Sequence, residues 1–320
     1  MDNVSCFSSE SWTMSRVFYF NLTYECNYRC RYCFSHTTQK GVMREVVDIF
    51  RFRDILHRNS VGLGDRIVLN GGEPTRHSKF LSILDHALST GAEVVVYTNG
   101  SAFADAIYAN EVGSMGKFRI TIPFHGGERL HDYVTGVNGS WRMACRAVAN
   151  LSGNGAKSML EPKFIISELA AAQGLDILNF LTNNLCEDST PCDVVIAGQV
   201  NTKVAVSSGI VVRHRKKQMC YAEEQILRCS THIPVKFYDL PICFASEAFF
   251  GKLLCSSDVR DAPCELYFTD GMIGPKVVRL SKNLRKRMCK HCKLSNICTS
   301  ILNSYFVTYF DGSSFTRTME

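Results

Sequence analysis

The chain has 320 residues, of which 46% are hydrophobic and 21% charged, and its formal net charge is +6. This ordinary globular composition excludes a disordered, collagen-like or coiled-coil chain. There is no run of about 18 apolar residues, and the N-terminus has neither the basic nor the apolar stretch of a signal peptide. We therefore expect a cytoplasmic protein without a membrane segment, whose mild basic excess permits an anionic partner without requiring one.

Short apolar runs that are typical of buried strands alternate with helical patterns from residue 16 to residue 198. The predicted strands are Val17–Leu22, Ile67–Leu69, Val94–Thr98, Phe118–Phe124, Phe164–Ile166 and Val194–Ala197. Helices are predicted from the apolar faces Met43/Val46/Val47/Phe50, Phe80–Leu88, Ala102–Val112, Trp141–Leu151 and Leu175–Leu181. Repeated strand–helix units imply an α/β fold with a parallel sheet, either an open, partial barrel or a doubly wound sheet. In both, ligands bind at the carboxyl ends of the strands.

The alternating pattern fades near residue 200, and the remaining chain is rich in cysteine. We therefore predict a tail at 1–15, a core at 16–200, a connecting segment at 201–235 and a small C-terminal domain at 236–320. A basic run in the last part could bind RNA phosphates, but it lacks interleaved aromatic residues, so a solvated surface explains it better. Its members are Lys282, Arg285, Lys286, Arg287, Lys290 and Lys293.

The chain contains fifteen cysteines, an odd number that rules out complete intramolecular pairing. In a reducing compartment, clustered cysteines indicate metal or iron–sulfur ligands. Cys26, Cys30 and Cys33 follow the first strand with the spacing C-x3-C-x2-C. Three thiolates on one short loop suit three irons of a [4Fe–4S] cluster and leave the fourth iron open. The alternative is a zinc knuckle completed by a remote ligand such as His36.

A second motif, Asn70-Gly71-Gly72-Glu73-Pro74, ends the second predicted strand. Paired glycines allow a ligand to approach the backbone closely, and a carboxylate beside them can accept hydrogen bonds from an ammonium group. The alternative interpretation is an ordinary turn. Its place at the carboxyl end of a strand, one strand–helix unit after the cysteine loop, favours a binding role.

Together these residues resemble the radical S-adenosylmethionine (SAM) superfamily, and the resemblance extends over residues 16–198. It implies a partial (βα)6 barrel in which Cys26, Cys30 and Cys33 bind a [4Fe–4S] cluster whose open iron takes the amino and carboxylate groups of SAM. It further implies that Gly71, Gly72, Glu73 and Pro74 contact the amino group and that Tyr32 lies near the adenine. Reductive cleavage of SAM would then yield a 5′-deoxyadenosyl radical that abstracts a substrate hydrogen.

Two more segments extend the resemblance. Tyr97-Thr98-Asn99-Gly100 is similar to the segment that ends the third strand in many members, which implies that Asn99 belongs to the SAM site. The stretch from Ile120 to Gly126, followed by His131-Asp132 and Thr135-Gly136, resembles a run found in peptide-modifying members. For His131-Asp132 the alternative is a local loop cap. The glycine-rich pattern expected near the fifth strand is replaced by Phe164–Glu168, so the resemblance does not extend to the adenine and ribose contacts there.

The spacing C-x2-C-x5-C of Cys289, Cys292 and Cys298 resembles that of the auxiliary clusters in SPASM and Twitch extensions. Leu302 stands where the full SPASM pattern has a further cysteine, which favours a Twitch-like extension with one auxiliary [4Fe–4S] cluster. The resemblance of Leu240-Pro-Ile-Cys243 to the segment preceding this triplet implies Cys243 as the fourth ligand, with Cys255 and Cys264 as alternatives. Taken alone, the spacing also suits a zinc ribbon.

The resemblance implies an enzyme that modifies a ribosomally made peptide and takes electrons from a donor such as flavodoxin or ferredoxin. The alternatives are a small-molecule dehydrogenase or epimerase, an RNA-modifying enzyme, and a zinc-dependent nucleic-acid-binding protein. Cys220 or Cys229 could donate a hydrogen atom to a substrate radical, although spare thiols are more often inert. Cys145 falls near the apolar face of its helix and is interpreted as core.

Overall fold

The computed structural model describes residues 16–33, 47–153, 160–167 and 169–170, the strands at 194–198, 235–238, 265–269 and 276–279, and the single residues 220 and 224. Its strands are β1 (Arg16–Asn21), β2 (Arg66–Asn70), β3 (Glu93–Tyr97), β4 (Arg119–Phe124), β5 (Leu160–Ile166), β6 (Val194–Gly198), β7 (Val235–Tyr238), β8 (Glu265–Thr269) and β9 (Lys276–Arg279). Its helices are α1 (Ile49–Arg58), α2 (Phe80–Ser89), α3 (Ala106–Gly113), α4 (Glu128–Thr135) and α5 (Ser140–Gly153).

All nine strands form one sheet, in the order β7-β6-β5-β4-β3-β2-β1-β8-β9. Strands β1 to β7 are parallel and lie in chain order. A doubly wound sheet would reverse its strand order at a switch point, so this order instead fits an open, partial barrel. The six strands predicted from the sequence are all present, and β5 begins at Leu160, before the predicted start.

Three strands of this sheet come from residues beyond 200. Strand β7 pairs with β6, and β8 pairs in parallel with β1 on the opposite side of the sheet. Strand β9 then pairs antiparallel with β8. The division of the chain at residue 200 therefore stays a prediction, but the sheet itself continues beyond that position.

The first predicted helix is placed differently in the structure. Residues 34–46 lie outside the described part of the chain, and α1 begins only at Ile49. The cause is Asp48, whose side chain accepts a hydrogen bond from the backbone N–H of Arg51 and so caps the helix. Val47 is buried ahead of the helix, whereas Phe50 is 77% exposed, so these two residues do not share an apolar helical face.

The predicted helix at Ala102–Val112 is interrupted. Ala102–Ala104 form a 3-10 turn, and α3 begins after Asp105, whose carboxylate accepts from the backbone N–H groups of Ile107 and Tyr108. Helix α4 was not predicted. The structure confirms α2 and α5 close to their predicted ranges, while the helix expected at Leu175–Leu181 lies outside the described residues.

Apolar side chains from the sheet and from α1 to α5 form one buried core. Phe18 and Phe20 of β1 are fully buried, as are Ala147 and Val148 of α5, at the spacing expected of a helix packed on a sheet. Within the described residues, no helix is long and apolar enough to cross a membrane.

Charged side chains are paired along the amino ends of the strands. Arg16 binds Asp65 through two hydrogen bonds of 2.8 and 2.6 Å, and Arg66 binds Glu93 through two of 2.8 and 2.7 Å. Arg119 lies 3.3 Å from both Glu93 and Glu161, so it joins β3 to β5 across β4. We call this row the amino-end charge ladder; its members are Arg16, Asp65, Arg66, Glu93, Arg119 and Glu161.

Candidate active site

The loop that follows β1 carries Cys26, Cys30 and Cys33, all partly buried. None of these cysteines forms a disulfide. The backbone N–H of Tyr28 donates to the Cys26 sulfur at 3.3 Å, and that of Cys33 donates to the Cys30 carbonyl at 3.1 Å. These local bonds fold the three cysteines into one compact loop at the carboxyl end of β1.

Main-chain hydrogen bonds fasten this cysteine loop to the end of α4. The N–H groups of Arg29 and Arg31 donate to the carbonyls of Thr135 and Val134, each at 2.8 Å. Carbonyls in the last turn of a helix lack partners within the helix, and the loop supplies them here. The helix ends at Gly136, which has a φ of +69° and where a Cβ atom would lie 3.2 Å from the Arg29 carbonyl oxygen.

Gly71 and Gly72 are required because the backbone after β1 passes very close to them. A Cβ atom on Gly71, which has a φ of +142°, would lie 2.4 Å from the carbonyl oxygen of Thr23. On Gly72 it would lie 2.6 Å from the carbonyl oxygen of Glu25. The N–H of Gly72 donates to Thr23, and that of Glu73 to Glu25. The sequence-based reason, room for a ligand, is therefore incomplete, because the glycines first accommodate the chain that leads into the cysteine loop.

The Glu73 carboxylate is fully buried between the ends of β2 and β3. Its Oε1 accepts from the Thr75 hydroxyl at 2.6 Å, the Thr98 hydroxyl at 2.7 Å and the Thr75 N–H at 3.2 Å. Its Oε2 accepts from the Asn99 N–H at 2.7 Å. Burial raises the pKa of Glu73, and these hydrogen bonds oppose that effect. Since a carboxylate oxygen can accept two hydrogen bonds, Oε2 retains the capacity to bind one more donor.

Asn99 connects the end of β3 with the cysteine loop. Its side-chain amide donates to Asn27 at 2.8 Å and lies 4.0 Å from the Cys26 sulfur. Its backbone N–H is the one that binds Glu73. The structure therefore brings together three sequence-predicted residues from three separate segments: Cys26, Glu73 and Asn99. Pro74, the last residue of the predicted motif, is buried and opens a 3-10 turn.

Tyr32 is buried and bound to a histidine that the sequence analysis did not assign. Its hydroxyl lies 2.6 Å from Nδ1 of His125, at the end of β4, and the two rings meet edge to face. Burial raises the pKa of Tyr32 and lowers that of His125, so both groups stay neutral. The signal for His125 was its position directly after β4, at the carboxyl edge where Glu73 and Asn99 also lie.

His131 and Asp132 have different surroundings within α4. Asp132 accepts from the N–H groups of Gly139 and Trp141 and from the Ser140 hydroxyl, at 2.6, 2.9 and 2.8 Å, and so caps α5. This confirms the local-cap interpretation for Asp132. His131 is buried, its Nδ1 lies 3.3 Å from the His125 N–H, and burial lowers its pKa to about 4. Among the residues that the structure describes, none forms a hydrogen bond with its buried Nε2.

The three thiols have the chemistry that iron requires. Burial raises the pKa of Cys26 to about 11 and also raises that of Cys30, and the neighbouring cysteine thiolates add to both shifts. A bound cation would favour the thiolate forms of Cys26 and Cys30, because its positive charge offsets burial and mutual repulsion. Within the described ranges, no three His, Cys, Asp or Glu side chains are grouped so that they could hold a single metal ion. A cluster separates its irons, so its thiolate ligands need not meet at one point.

Several predicted residues cannot be placed. Cys229, Cys243, Cys289, Cys292, Cys298, Cys255, Cys264 and His36 lie outside the described residues. Cys220 is described and is exposed. Cys145 packs against the core on α5, as predicted.

Residues 20–162 match a family model described as the radical SAM superfamily. They run from the end of β1 to the start of β5 and include the cysteine loop, the glycine pair and Glu73. This part of the chain is therefore similar to the radical SAM superfamily. The family implies SAM and a [4Fe–4S] cluster, and the three thiols of the loop after β1 fit that cluster by their donor chemistry.

Curated relatives match this chain only in part and at low identity. An S-adenosylmethionine-dependent nucleotide dehydratase from Selenomonas ruminantium is 33% identical over 86 residues, which cover 25% of this chain and 28% of that protein. The mycofactocin maturase MftC from Mycolicibacterium smegmatis is 28% identical over 142 residues, which cover 42% of this chain and 33% of that protein. The matching regions span 28% to 41% of the lengths of the curated relatives.

Solved structures show the same fold over most of the chain. Streptococcus suis SuiB bound to S-adenosylmethionine matches with a TM-score of 0.61 at 12% identity, over 89% of this chain and 72% of that chain. SuiB bound to the precursor peptide SuiA matches with a TM-score of 0.58 at 10% identity, over 90% and 70% of the two chains. At these identities the likeness shows a shared fold alone.

Proposed function

We propose that this chain is a radical SAM enzyme that holds a [4Fe–4S] cluster with Cys26, Cys30 and Cys33 and cleaves SAM reductively. The observation that supports this is the chain of contacts from the Cys26 sulfur through Asn99 to Glu73. It joins the cysteine loop to the ends of β2 and β3, at the sheet edge where parallel α/β folds bind ligands. When bound, the cluster supplies the electron that cleaves SAM, and the product radical abstracts a substrate hydrogen.

The residues of this chain position SAM. Glu73 Oε2 retains an acceptor position for the ammonium group, and its other hydrogen bonds fix the direction of that carboxylate. Tyr32 presents its ring near the adenine, and the hydrogen bond to His125 holds the ring in one orientation. Gly71 and Gly72 set the distance between the GGEP segment and the cysteine loop.

Reductive cleavage is tested by anaerobic reconstitution with iron and sulfide, followed by incubation with SAM and dithionite. The wild type should form 5′-deoxyadenosine. Cys30→Ala should form none, because a cluster that lacks one thiolate is lost or cannot present its open iron. Cys145→Ala is the matched control, because it also removes one thiol, but from α5, where Cys145 packs against the core. This variant should form 5′-deoxyadenosine at the wild-type rate. Native rates from Cys30→Ala would refute the assignment.

For the substrate, we propose a ribosomally made peptide, modified at a side chain or α-carbon. The support is the similarity to a mycofactocin maturase and to SuiB, one structure of which holds a precursor peptide. A second candidate is a small molecule, since the relative at 33% identity is a nucleotide dehydratase. Incubating the reconstituted enzyme with SAM and either nucleotides or candidate precursor peptides, with mass spectrometry of the products, separates the two.

We further propose that Cys243, Cys289, Cys292 and Cys298 hold an auxiliary [4Fe–4S] cluster in a Twitch-like domain at 236–320, and that flavodoxin or ferredoxin supplies electrons. Wild type should then carry about eight irons, about four per cluster. Changing Cys289, Cys292 and Cys298 together to Ala should leave about four. That variant should still form 5′-deoxyadenosine but give little modified product. Four irons and one zinc in the wild type would contradict the auxiliary cluster alone.

A further inference from the structure

The cysteine loop and α4 together carry an exposed basic surface. Arg29 and Arg129 are exposed, Arg31 is partly exposed, and Tyr133 is 47% exposed. Arg129 and Tyr133 are four positions apart on α4 and therefore lie on the same helical face. We call this surface the basic face; its members are Arg29, Arg31, Arg129 and Tyr133. Arginine and aromatic side chains are enriched in protein–protein interfaces, so its composition indicates a surface that binds a partner.

Direct contacts join the loop residues of the basic face to its helix residues. The Arg31 Nε donates to the Tyr133 carbonyl at 2.9 Å, and the guanidinium carbon of Arg31 lies 4.1 Å from the centroid of the Tyr133 ring. Arg29 lies on the same side, since a Cβ on Gly136, one turn beyond Tyr133, would be 3.4 Å from the Arg29 Cβ. The basic face is therefore one continuous surface.

The acidic residues of α4 do not cancel the charge of the basic face. They are Glu128 and Asp132, and both are bound to the beginning of α5. Glu128 binds Arg142 at 2.7 Å, and Asp132 accepts from the Ser140 hydroxyl and from two backbone N–H groups. An excess of positive charge therefore remains on the basic face, and such a surface attracts an acidic partner and speeds its association.

The two halves of the cysteine loop contact different parts of the fold. In the first half, the Cys26 sulfur lies 4.0 Å from the Asn99 side chain, beside the proposed SAM site. In the second half, Arg29 and Arg31 are bonded through their backbone to α4. Cys30, a proposed cluster ligand, stands between these two arginines in the chain. A partner on the basic face would therefore lie beside a cluster ligand without occupying the SAM side of the loop.

We propose that the basic face is the docking site of a small acidic protein that carries one electron at a time to the cluster held by Cys26, Cys30 and Cys33. The inference rests on the proposed function, because reductive cleavage of SAM requires an electron from outside the site. In this step one electron leaves the reduced carrier and enters the oxidised cluster, and no bond forms or breaks.

The basic face has the properties that such a transient encounter requires. Redox encounters bury small interfaces, below about 1,200 Å², so a few charged and aromatic anchors are sufficient. Arg31 is already held against Tyr133, so docking there costs little side-chain freedom. Charge attraction brings the carrier to the cluster quickly, and the small interface allows it to leave after transfer.

The test uses the full-length, cluster-loaded protein and measures 5′-deoxyadenosine formation from SAM. Electrons come either from excess dithionite or from an acidic flavodoxin or ferredoxin that has been reduced beforehand and freed of reductant. The variants are Arg29→Glu, Arg129→Glu and the double variant. Each carrier-driven rate is divided by the dithionite-driven rate of the same variant, so that any loss of cluster or SAM binding cancels.

Lys117→Glu is the matched control, because it makes the same change of charge at an exposed position just before β4, at the opposite edge of the sheet. We expect the rate ratio to fall about fivefold or more in the double variant and to stay within about twofold of the wild type in Lys117→Glu. Added NaCl should slow the carrier-driven reaction of the wild type more steeply than that of the double variant, because salt screens the attraction.

The outcomes separate this inference from the proposed function. A wild type that forms no 5′-deoxyadenosine with dithionite would overturn the proposed function and the inference together. A wild type that is active with dithionite, but whose rate ratio equals that of the double variant, would overturn the inference alone. So would a wild type that neither carrier reduces, or a loss that Lys117→Glu reproduces. An unchanged ratio with less modified product in excess dithionite would assign the basic face to an acidic substrate instead.

Discussion

The two ends of the sheet use charge in opposite ways. At the amino ends of the strands, the charge ladder pairs each carboxylate with an arginine of the same row. At the carboxyl ends, Glu73 is bound by hydroxyl and N–H groups. Among the described residues, the partly buried thiols and the buried Tyr28 hydroxyl have no partner of opposite charge. The amino end has completed its interactions within the protein, whereas the carboxyl end retains binding capacity for a ligand.

This difference teaches how stability and function are divided in the domain. Ion pairs with partly exposed members contribute about 0–1 kcal/mol each to the free energy of unfolding. The amino-end charge ladder is therefore a modest stabiliser of the fold. The buried groups at the carboxyl end are costly while they lack partners, and a bound cofactor removes that cost. Substitutions at the two ends should therefore separate stability from binding.

The largest effect is expected from Gly71→Ala. The new Cβ would lie 2.4 Å from a backbone oxygen at a φ of +142°, so the segment that leads into the cysteine loop must move. We expect a loss of about 3 kcal/mol or more in the free energy of unfolding, together with loss of bound iron. Gly127→Ala is the control, because a Cβ there meets nothing within 4 Å. Equal iron content in both variants would show that the loop does not depend on this close approach.

The second effect concerns pH and His131. Burial lowers the pKa of this histidine from 6.5 to about 4, so the unfolded chain takes up a proton at higher pH than the folded chain. The stability that the neutral ring permits is present above about pH 6.5 and is lost as the pH falls toward 4, by about 3 kcal/mol from this group. Urea unfolding at pH 7 and pH 5 measures it. His131→Asn should flatten the pH dependence over this window, and an unchanged slope would contradict the assignment.

A third, smaller effect compares one substitution at both ends. Glu73→Gln keeps an acceptor for Thr98 but removes the charge offered to the SAM ammonium group, a hydrogen bond worth about 1.5–3 kcal/mol. SAM should bind about tenfold more weakly or worse, with iron content unchanged. Glu93→Gln removes a charge at the amino end and should leave SAM affinity as it is. Equal SAM affinity in wild type and Glu73→Gln would show that the GGEP segment is an ordinary turn and that Glu73 does not bind SAM.

The smallest effect is expected at the ladder itself. Arg119→Met removes the link between Glu93 and Glu161 while keeping the apolar part of the side chain. Thermal unfolding should show that losing the partly exposed pair with Glu93 lowers the free energy of unfolding by about 1 kcal/mol or less. Glu161 adds a further cost, because this buried carboxylate is left with one fewer partner. The rate of 5′-deoxyadenosine formation should not change.

The sequence predicted the strands well because each is a short apolar run, such as Ile67–Leu69, whose burial needs no distant information. It misplaced α1 because the apolar positions continue ahead of Asp48, and only the cap decides where the helix begins. Helix α4 was missed because Glu128–Thr135 is short and rich in charge, and its carboxyl end is completed by the distant cysteine loop.

Where a motif fixes their spacing, as for the three cysteines and Glu73, the sequence predicted that these residues lie at the carboxyl ends of the strands, and their roles there stay a prediction. The steric reason for Gly71 and Gly72 was not, because it depends on backbone atoms about fifty positions earlier in the chain. The pairing of Tyr32 with His125 likewise depends on how distant segments pack. Such relations arise from tertiary structure and leave no local pattern.

The docking of the cysteine loop on α4 has a consequence for the synthesis of the chain on the ribosome. The residues that anchor the loop are separated by 106 positions between Arg29 and Thr135 (135 − 29) and 103 between Arg31 and Val134 (134 − 31). At roughly 5–20 residues per second, the ribosome delivers the cysteines about 5–20 seconds before their anchors. Until then the thiols are carried on an unanchored segment of the nascent chain. A cluster bound by the completed loop would therefore be inserted after α4 has been synthesised, so the order of the chain would set the timing of maturation.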